Sequence, residues 1–296
     1  MRAALLTRVA QLFERHGFSV FTCTGTHACF DVVARRERDL FIVKALENID
    51  GFTGDQARDL NKISGVFGAK CVLAGECAKQ GPLADGVVYA RHGVPALTAG
   101  TLSALVDGEY PELRKNRVVA VCLDGRKLAD ARMRAGYSLS QLSEAAAISR
   151  EELYRYEHGL AGASEENAEK LESLLGVRLR TAIDPFADKT GSRPQDDTTV
   201  LTPLGFRSVK ASSAPFEIAA EEGKTMFAGE DADARTLKKR AGIYTRISVM
   251  LDSQPCFLLE KSGRDSLAGV PVVTRSELKE IRKARELLKL LEERSE

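Results

Sequence analysis

Apolar residues recur at helical spacing over residues 3–16, and the helix they predict stops at Gly17. Three apolar, partly alternating runs follow, at 19–24, 29–34 and 40–46, and they read as consecutive strands. The pattern then predicts a polar-started helix over 53–67, a strand over 70–74, an extended piece over 93–97 and a helix over 101–106. That order is α-β-β-β-α-β with a tail, the signature of an α/β domain. After Tyr110-Pro111 a further strand is expected over 118–123, and beyond Asp124-Gly125 the pattern is purely helical to about residue 179. Residues 184–199 (DPFADKTGSRPQDDTT) are rich in Asp, Pro, Ser, Thr and Gly with almost nothing to bury, and read as a linker.

The chain beyond the linker repeats its beginning. Gly17-Phe18 recurs as Gly205-Phe206, and Phe30-Asp31-Val32-Val33-Ala34 as Phe216-Glu217-Ile218-Ala219-Ala220. Cys71-Val72-Leu73 recurs as Cys256-Phe257-Leu258, and Gly93 to Thr98 (GVPALT) as Gly269 to Thr274 (GVPVVT). Order and intervals are kept, so two copies of one α/β domain are expected around a helical module, the second without the opening helix. Two unrelated α/β segments are the alternative. A last helix is expected over 276–294, with Leu278, Ile281, Leu288 and Leu291 on one face, packed on its own domain or in a dimer contact.

The helical module carries the most specific spacing. Leu128 and Arg132 precede Gly136, whose freedom at positive φ suits a helix end. Ser138 is placed to cap a second helix with Leu142 and Ala145 inward and small Ser143 at the crossing. Ile148 plugs the turn, Ser149 caps a third helix, Leu153 and Tyr156 pin its inner face, and Gly159 stops it. A final helix capped by Ser164 should carry Leu171, Leu174 and Leu175 inward. Over residues 126–180 this stretch resembles the XRE or lambda-repressor family of helix-turn-helix domains. The resemblance implies that the helix from Arg150 to His158 enters the major groove of double-stranded DNA, and that Arg132 and Glu157 form a structural ion pair. The outward side chains would then be Arg150, Glu151, Glu152, Tyr154 and Arg155. Either arginine can read guanine and either glutamate can accept from cytosine, while Ser138 and Ser140 are candidates for phosphate contacts. The sequence departs from that family at Leu139, where a Gln is common, and at Ala147, where the turn usually has Gly. With a Cβ at 147 the turn must pay a modest conformational penalty.

Charge adds a constraint. Lys and Arg number 43 against 42 Asp and Glu, so attraction to a polyanion must come from local clusters. Residues 126–180 hold nine basic and nine acidic side chains, so one module gains little from phosphates and a dimer is expected. At 44% hydrophobic and 29% charged over 296 residues, the composition is that of two or three globular domains. Arg2, Arg8, Glu14 and Arg15 interrupt the N-terminal apolar residues, and no run approaches the roughly 20 apolar residues of a membrane helix, so a cytoplasmic protein is expected. The six cysteines form no C-x-x-C pair and are expected reduced and mostly buried. Phosphate-binding glycine loops are absent, and His27 near Cys29 and Asp31 is a weak metal candidate.

The first α/β unit, a helix followed by three strands with Asp31 on the second and Lys44 on the third, resembles the PD-(D/E)xK nuclease fold. That fold implies a divalent cation held by the strand Asp and by an acid two residues before the Lys, but here that place is Ile42, with Glu14 the sole distant helper. In the second copy Glu217 falls at the place of Asp31, and Glu230, at equal spacing, at the place of Lys44. Asp31 and Lys44 are therefore read as vestigial, either a satisfied pair or exposed charges. Nearly the whole chain, including the stretches 40–44 and 48–51, resembles a family of archaeal helix-turn-helix transcriptional regulators. The expected architecture is multidomain α/β plus all-α: restriction-endonuclease-like α/β domains at 1–110 and 200–296 flank a lambda-repressor-like module of four to five helices at 117–183. The expected function is sequence-specific regulation of transcription by a homodimer without enzymatic activity or cofactor, its effector left open. A protein-interaction scaffold with inactive nuclease-like domains and a metal-dependent nuclease are the alternatives.

Overall fold

A computed structural model describes residues 2–23, 28–115, 118–187 and 196–295. Helix α1 (Arg2–Arg15) buries Leu5, Val9, Leu12 and Phe13 on one side. There follow β1 (Ser19–Thr22), β2 (Val32–Arg36), β3 (Asp39–Asn48), α2 (Gly54–Phe67), β4 (Lys70–Ala78), β5 (Gly81–Pro82), β6 (Val87–Arg91), β7 (Val94–Leu97), α3 (Ala99–Val106), β8 (Leu113–Lys115) and β9 (Val119–Val121). Next come the four helices of the middle region, α4 (Gly125–Arg134), α5 (Leu139–Ala146), α6 (Arg150–Glu157) and α7 (Glu165–Leu175). The chain ends with β10 (Arg207–Lys210), β11 (Ile218–Glu222), β12 (Lys224–Gly229), α8 (Ala234–Leu251), β13 (Gln254–Leu259), β14 (Ser266–Leu267), β15 (Val270–Thr274), α9 (Arg275–Glu280) and α10 (Ala284–Glu293).

Both sheets follow one plan. The first runs β1-β2-β3-β4-β7-β6 and continues into β8 and β9, while the second runs β10-β11-β12-β13-β15-β14. In each, two antiparallel pairings are followed by two parallel ones and a closing antiparallel pairing. The segments that repeat in sequence occupy equivalent strands, and Thr98 and Thr274 each cap the helix after the last parallel strand. The strand expected to open the helical module, β9, instead pairs with β8 and closes the first sheet.

Strand β3 shows why the sheets read as continuous apolar runs. Phe41, Val43 and Ala45 pack on the outer face beneath α1 and α3, and Leu40 and Ile42 pack on the inner face. A parallel strand buried on both sides has few positions left for polar residues. The outer face of the second sheet is covered in the same manner by residues of α9 and α10. The two inner faces share one core, with α2 set against β10 and β11 and α8 set against β1 and β2. A row of aromatic rings crosses this layer: Phe67 to Phe216 at 6.2 Å, Phe216 to Phe227 at 4.8 Å, Phe227 to Tyr244 at 5.1 Å and Tyr244 to Phe257 at 5.0 Å. Asp59 of α2, itself buried, fastens the halves further by accepting from the Ser213 amide at 2.8 Å and its hydroxyl at 2.7 Å.

Several expectations change. The last helix is broken: Ile281 is extended (φ −76, ψ 131), so that α9 packs on β15 and α10 turns to lie on β13, which a straight rod could not do. The linker is packed at both ends. Phe186 is buried against Phe41 at 5.8 Å, and Asp197 accepts from Lys62 Nζ at 2.7 Å and from the Lys210 amide at 2.8 Å. Its middle, like the candidate His27, lies outside the described residues. No disulfide joins the six cysteines, four of them are buried, and burial pushes the thiols of Cys23, Cys29 and Cys256 up to about 12. No helix among the described residues is long and apolar enough to cross a membrane.

Because the inner core is common property, Phe216→Ala is expected to cost about 3–5 kcal/mol and to lower the stability of both α/β units together. Urea unfolding followed separately by probes in each unit should give coincident, equally shifted transitions; two independent transitions would contradict the shared core.

Candidate nucleic-acid interface

Each turn of the middle region is set by its own side chains. Ser138 caps α5, accepting from the Gln141 amide, and the Gln141 side chain accepts from the Ser138 amide in return. Ser149 caps α6 by accepting from the Glu152 amide. Between them Ala147 stands at φ 52 and ψ 41, the left-handed conformation expected to carry a penalty, and the Ser143 hydroxyl closes the turn by donating to the Ile148 carbonyl at 2.7 Å. The buried face of α5 is Leu142 and Ala146, one residue on from the expected Ala145, which is exposed. Positions 145 and 146 both lie near Leu142 at i+3 and i+4, and it is the i+4 residue that turns into the core. Leu174 of α7 is likewise exposed, while Leu171 is buried.

Helix α6 is held from beneath. Leu153 and Tyr156 are buried, and the Tyr156 hydroxyl accepts from Asn167. Arg132 of α4 donates through Nε to Glu157 Oε1 at 2.6 Å and through Nη2 to Oε2 at 3.1 Å, and its Nη1 reaches the Tyr137 carbonyl at 3.0 Å. This is the two-pronged pair implied by the resemblance; the Glu157 side chain is 7% exposed, and the bond raises the Arg132 pKa further. Gly125 lets α4 start against the end of α6, since a Cβ there would overlap the Glu157 carbonyl. The module is also tied to the first sheet. Val121 of β9 exchanges two backbone hydrogen bonds with Ala163, and the Asp124 and Thr181 amides bond to Leu179 and Cys122.

Upward from that base, Arg150, Glu151, Glu152, Tyr154 and Arg155 are all exposed, as are Ser138 and Ser140. Neither Arg150 nor Arg155 makes an ion pair with a described residue. Glu152 is less free, because the Ser149 hydroxyl donates to its carboxylate at 3.0 Å. His158, absent from the expected set, stacks on Tyr154 with ring centroids 3.9 Å apart, and its Nδ1 lies 2.8 Å from the Tyr154 carbonyl. Its i,i+4 spacing from Tyr154 was the available signal. A rigid, solvent-facing helix with two unengaged guanidinium groups and an aromatic pair has the chemistry to meet base edges and phosphates.

The second constellation, Asp31 and Lys44, is a satisfied pair at 1% and 2% exposure. Lys44 Nζ donates to the Ala28 carbonyl and to Asp31 Oδ1 at 3.2 Å, and the Ala45 amide donates to Oδ2 at 2.9 Å. The partner arriving from α1 is Arg2, at 2.8 Å from Oδ1, while Glu14 is exposed near the helix's other end. One carboxylate already held by two cations, with Ile42 buried where a second acid would stand, does not fit a divalent metal.

The second copy corrects the assignment of Glu230. The Asp31 amide donates to the Val43 carbonyl, and the Glu217 amide donates to the Ala228 carbonyl. The β11–β12 turn is one residue shorter, so the counterpart of Lys44 is Gly229, and Glu230 matches Ala45, both amides donating to the strand carboxylate. The space left by Gly229 is taken by Tyr244, whose hydroxyl donates to the Pro215 carbonyl at 3.1 Å much as Lys44 donates to Ala28.

Comparison with known proteins finds matches over both regions of the chain. A family profile for a PD-(D/E)XK superfamily domain matches residues 2–111, and one for a helix-turn-helix matches residues 128–181. A protein of Methanothermobacter thermautotrophicus described as "Putative HTH-type transcriptional regulatory protein" is 33% identical, covering 99% of this chain and 97% of its own. Proteins of the same description from Pyrococcus horikoshii and Methanocaldococcus jannaschii are 35% and 31% identical, covering 97% and 96% of their own lengths. No solved structure matches.

Removing Arg132 leaves a mostly buried carboxylate unpaired, so Arg132→Ala should destabilise by about 3 kcal/mol or more, whereas Arg132→Met combined with Glu157→Leu should cost much less. Chemical denaturation of the three proteins checks this; equal losses in both variants would show that packing and not charge pairing holds α6.

Proposed function

We propose that this chain, which belongs to the family of archaeal HTH-type transcriptional regulatory proteins, binds double-stranded DNA sequence-specifically through α6 and regulates transcription in the cytoplasm as a homodimer. The observation that carries the reading is the division of α6 into a locked inner side, Leu153, Tyr156 and Glu157, and an outer side open to solvent. Arg150 and Arg155 are the base readers, Glu151 the free acceptor for cytosine, Tyr154 an apolar contact, and Ser138 and Ser140 donors to phosphate. Ser138 accepts from its cap with its oxygen, which leaves its hydroxyl hydrogen available.

The α/β units, proposed at 1–110 and 200–296 around a module at 117–183, serve as a rigid frame and catalyse nothing. Asp31 is already neutralised by Lys44 and Arg2, which supports a structural role for that carboxylate. A homodimer compensates for the small phosphate contribution of a module with equal numbers of acids and bases. It would set two α6 helices about 34 Å apart on a palindromic site.

Genome-wide binding followed by footprinting should return a palindrome with half-sites one helical turn apart. On that site Arg150→Ala and Arg155→Ala should each lose about 1–3 kcal/mol, read as a roughly 5- to 150-fold drop in affinity by electrophoretic shift. Unchanged binding in the double variant would refute the assignment of α6. Light scattering that shows a monomer with and without DNA would refute the dimer. DNA cleavage that requires magnesium or manganese and is lost in Asp31→Ala would overturn the non-enzymatic frame.

A further inference from the structure

Helix α8 is unlike the other long helices of this protein in its charge. Helix α7 pairs Glu166 with Lys170 and Glu172 with Arg180, α2 pairs Lys62 with Asp197, and α10 pairs Lys289 with Glu293. Helix α8, over 18 residues, contains Arg235, Lys238, Lys239, Arg240 and Arg246 and not one acid. Arg240 is engaged by Glu217 at 2.8 Å. The side chains of Arg235, Lys238 and Lys239 are exposed and make no ion pair with any described residue. They stand on one stripe with Gly242, Arg246 and Val249, at the i, i+3, i+4 spacing of a single helix face, opposite the buried Leu237, Ala241, Tyr244 and Ile247.

This arrangement works against the stability of the helix. Cations in the first turns sit at the positive end of the helix dipole, and like charges at i,i+3 and i,i+4 repel each other. The cap residue Asp233 is occupied with the Arg235 and Thr236 amides and the Thr236 hydroxyl. In a chain whose net charge is only +1, such a stripe is a local cluster of positive charge; the acids at the helix start, Glu230, Asp231 and Asp233, are engaged with Arg275, the Glu260 amide and the helix cap.

We propose that this face of α8 is a second DNA contact, independent of α6, that grips the phosphodiester backbone of double-stranded DNA without reading sequence. From Arg235 to Arg246 the stripe extends about 16 Å along the helix, long enough to reach several phosphates of a duplex. Gly242, with nothing within 4 Å of a Cβ built on it, keeps the middle of the stripe low so that a backbone can approach closely. Arg246 is positioned by the Phe21 ring, 4.7 Å from its guanidinium carbon. A membrane surface fits less well, because the apolar side of α8 is spent in the protein core and Val249 is the one large apolar side chain exposed on the stripe.

The proposal rests on the chain being a DNA-binding protein, and its test keeps the two contacts apart. Full-length protein is titrated with a fluorescent mixed-sequence duplex over a range of salt concentrations. The variant carrying Arg235→Gln, Lys238→Gln and Lys239→Gln should lower the slope of log K against log salt by about 2–3. A charge-matched control, Lys279→Gln with Arg285→Gln and Lys289→Gln on α9 and α10, should lower it by less than one. All six sites are exposed, so equal thermal melting verifies folding. An unchanged slope in the α8 variant, or an equal fall in both variants, overturns the proposal. If the slope is unchanged while Arg150→Ala with Arg155→Ala abolishes binding, α8 fails and α6 stands. If the α8 variant loses binding while the α6 variant retains it, the reverse holds. Capture by anionic phospholipid vesicles that depends on the three α8 cations, without duplex binding, would assign the face to a membrane and overturn the DNA contact.

Discussion

The layer in which Phe67, Phe216, Phe227, Tyr244 and Phe257 meet is buried by both sheets at once, so neither inner face is removed from water without the other. That mutual burial shapes much of the molecule. It explains how a unit that lacks an opening helix can be stable, since α10 closes its outer side and the first unit closes its inner side. It also turns an internal repeat into an intramolecular pair, with α2 of one copy and α8 of the other each lying on the neighbouring sheet.

Two buried carboxylates in and beside that layer are each held by several donors. Asp59 is buried among hydroxyl and amide donors from Ser212 and Ser213, and Asp31 is buried between two cations and an amide. At the position equivalent to Lys44 the second copy has Gly229, and a tyrosine hydroxyl from α8 satisfies the neighbouring carbonyl instead. Lysine in one copy and tyrosine in the other thus each donate to a carbonyl just ahead of the strand carboxylate, so neighbouring buried acceptors are satisfied by different chemistry in the two copies.

The helical module borrows its rigidity from this frame. β9 belongs to the first sheet through β8 and to the module through Ala163, so α4 to α7 are tied to that sheet by backbone hydrogen bonds. Gly125 and the Arg132–Glu157 pair then carry the constraint from α4 to the end of α6. A helix locked from below presents its outer side chains from a backbone that has little entropy left to lose on binding.

The caps, turns and inner positions of the module are local events, set by residues three or four apart, and they were legible from Ser138, Ser149, Leu153, Tyr156 and Gly159 in order. The repeat was legible for the same reason, because equivalent strands need equivalent apolar patterns. The pattern does not predict α8, whose amphipathic contrast is blurred by Gly242 and the exposed Val249, and β8 and β10 are too short to carry a period. What the sequence could not contain was register and partnership. A turn one residue shorter moved Glu230 off the lysine position, Arg2 reached Asp31 across 29 residues, and Phe186 left a polar segment to fill an outer core. Each of these depends on which surfaces meet after folding, and only the tertiary structure decides that, because burial energy is blind to chain distance while sequence pattern sees only neighbours.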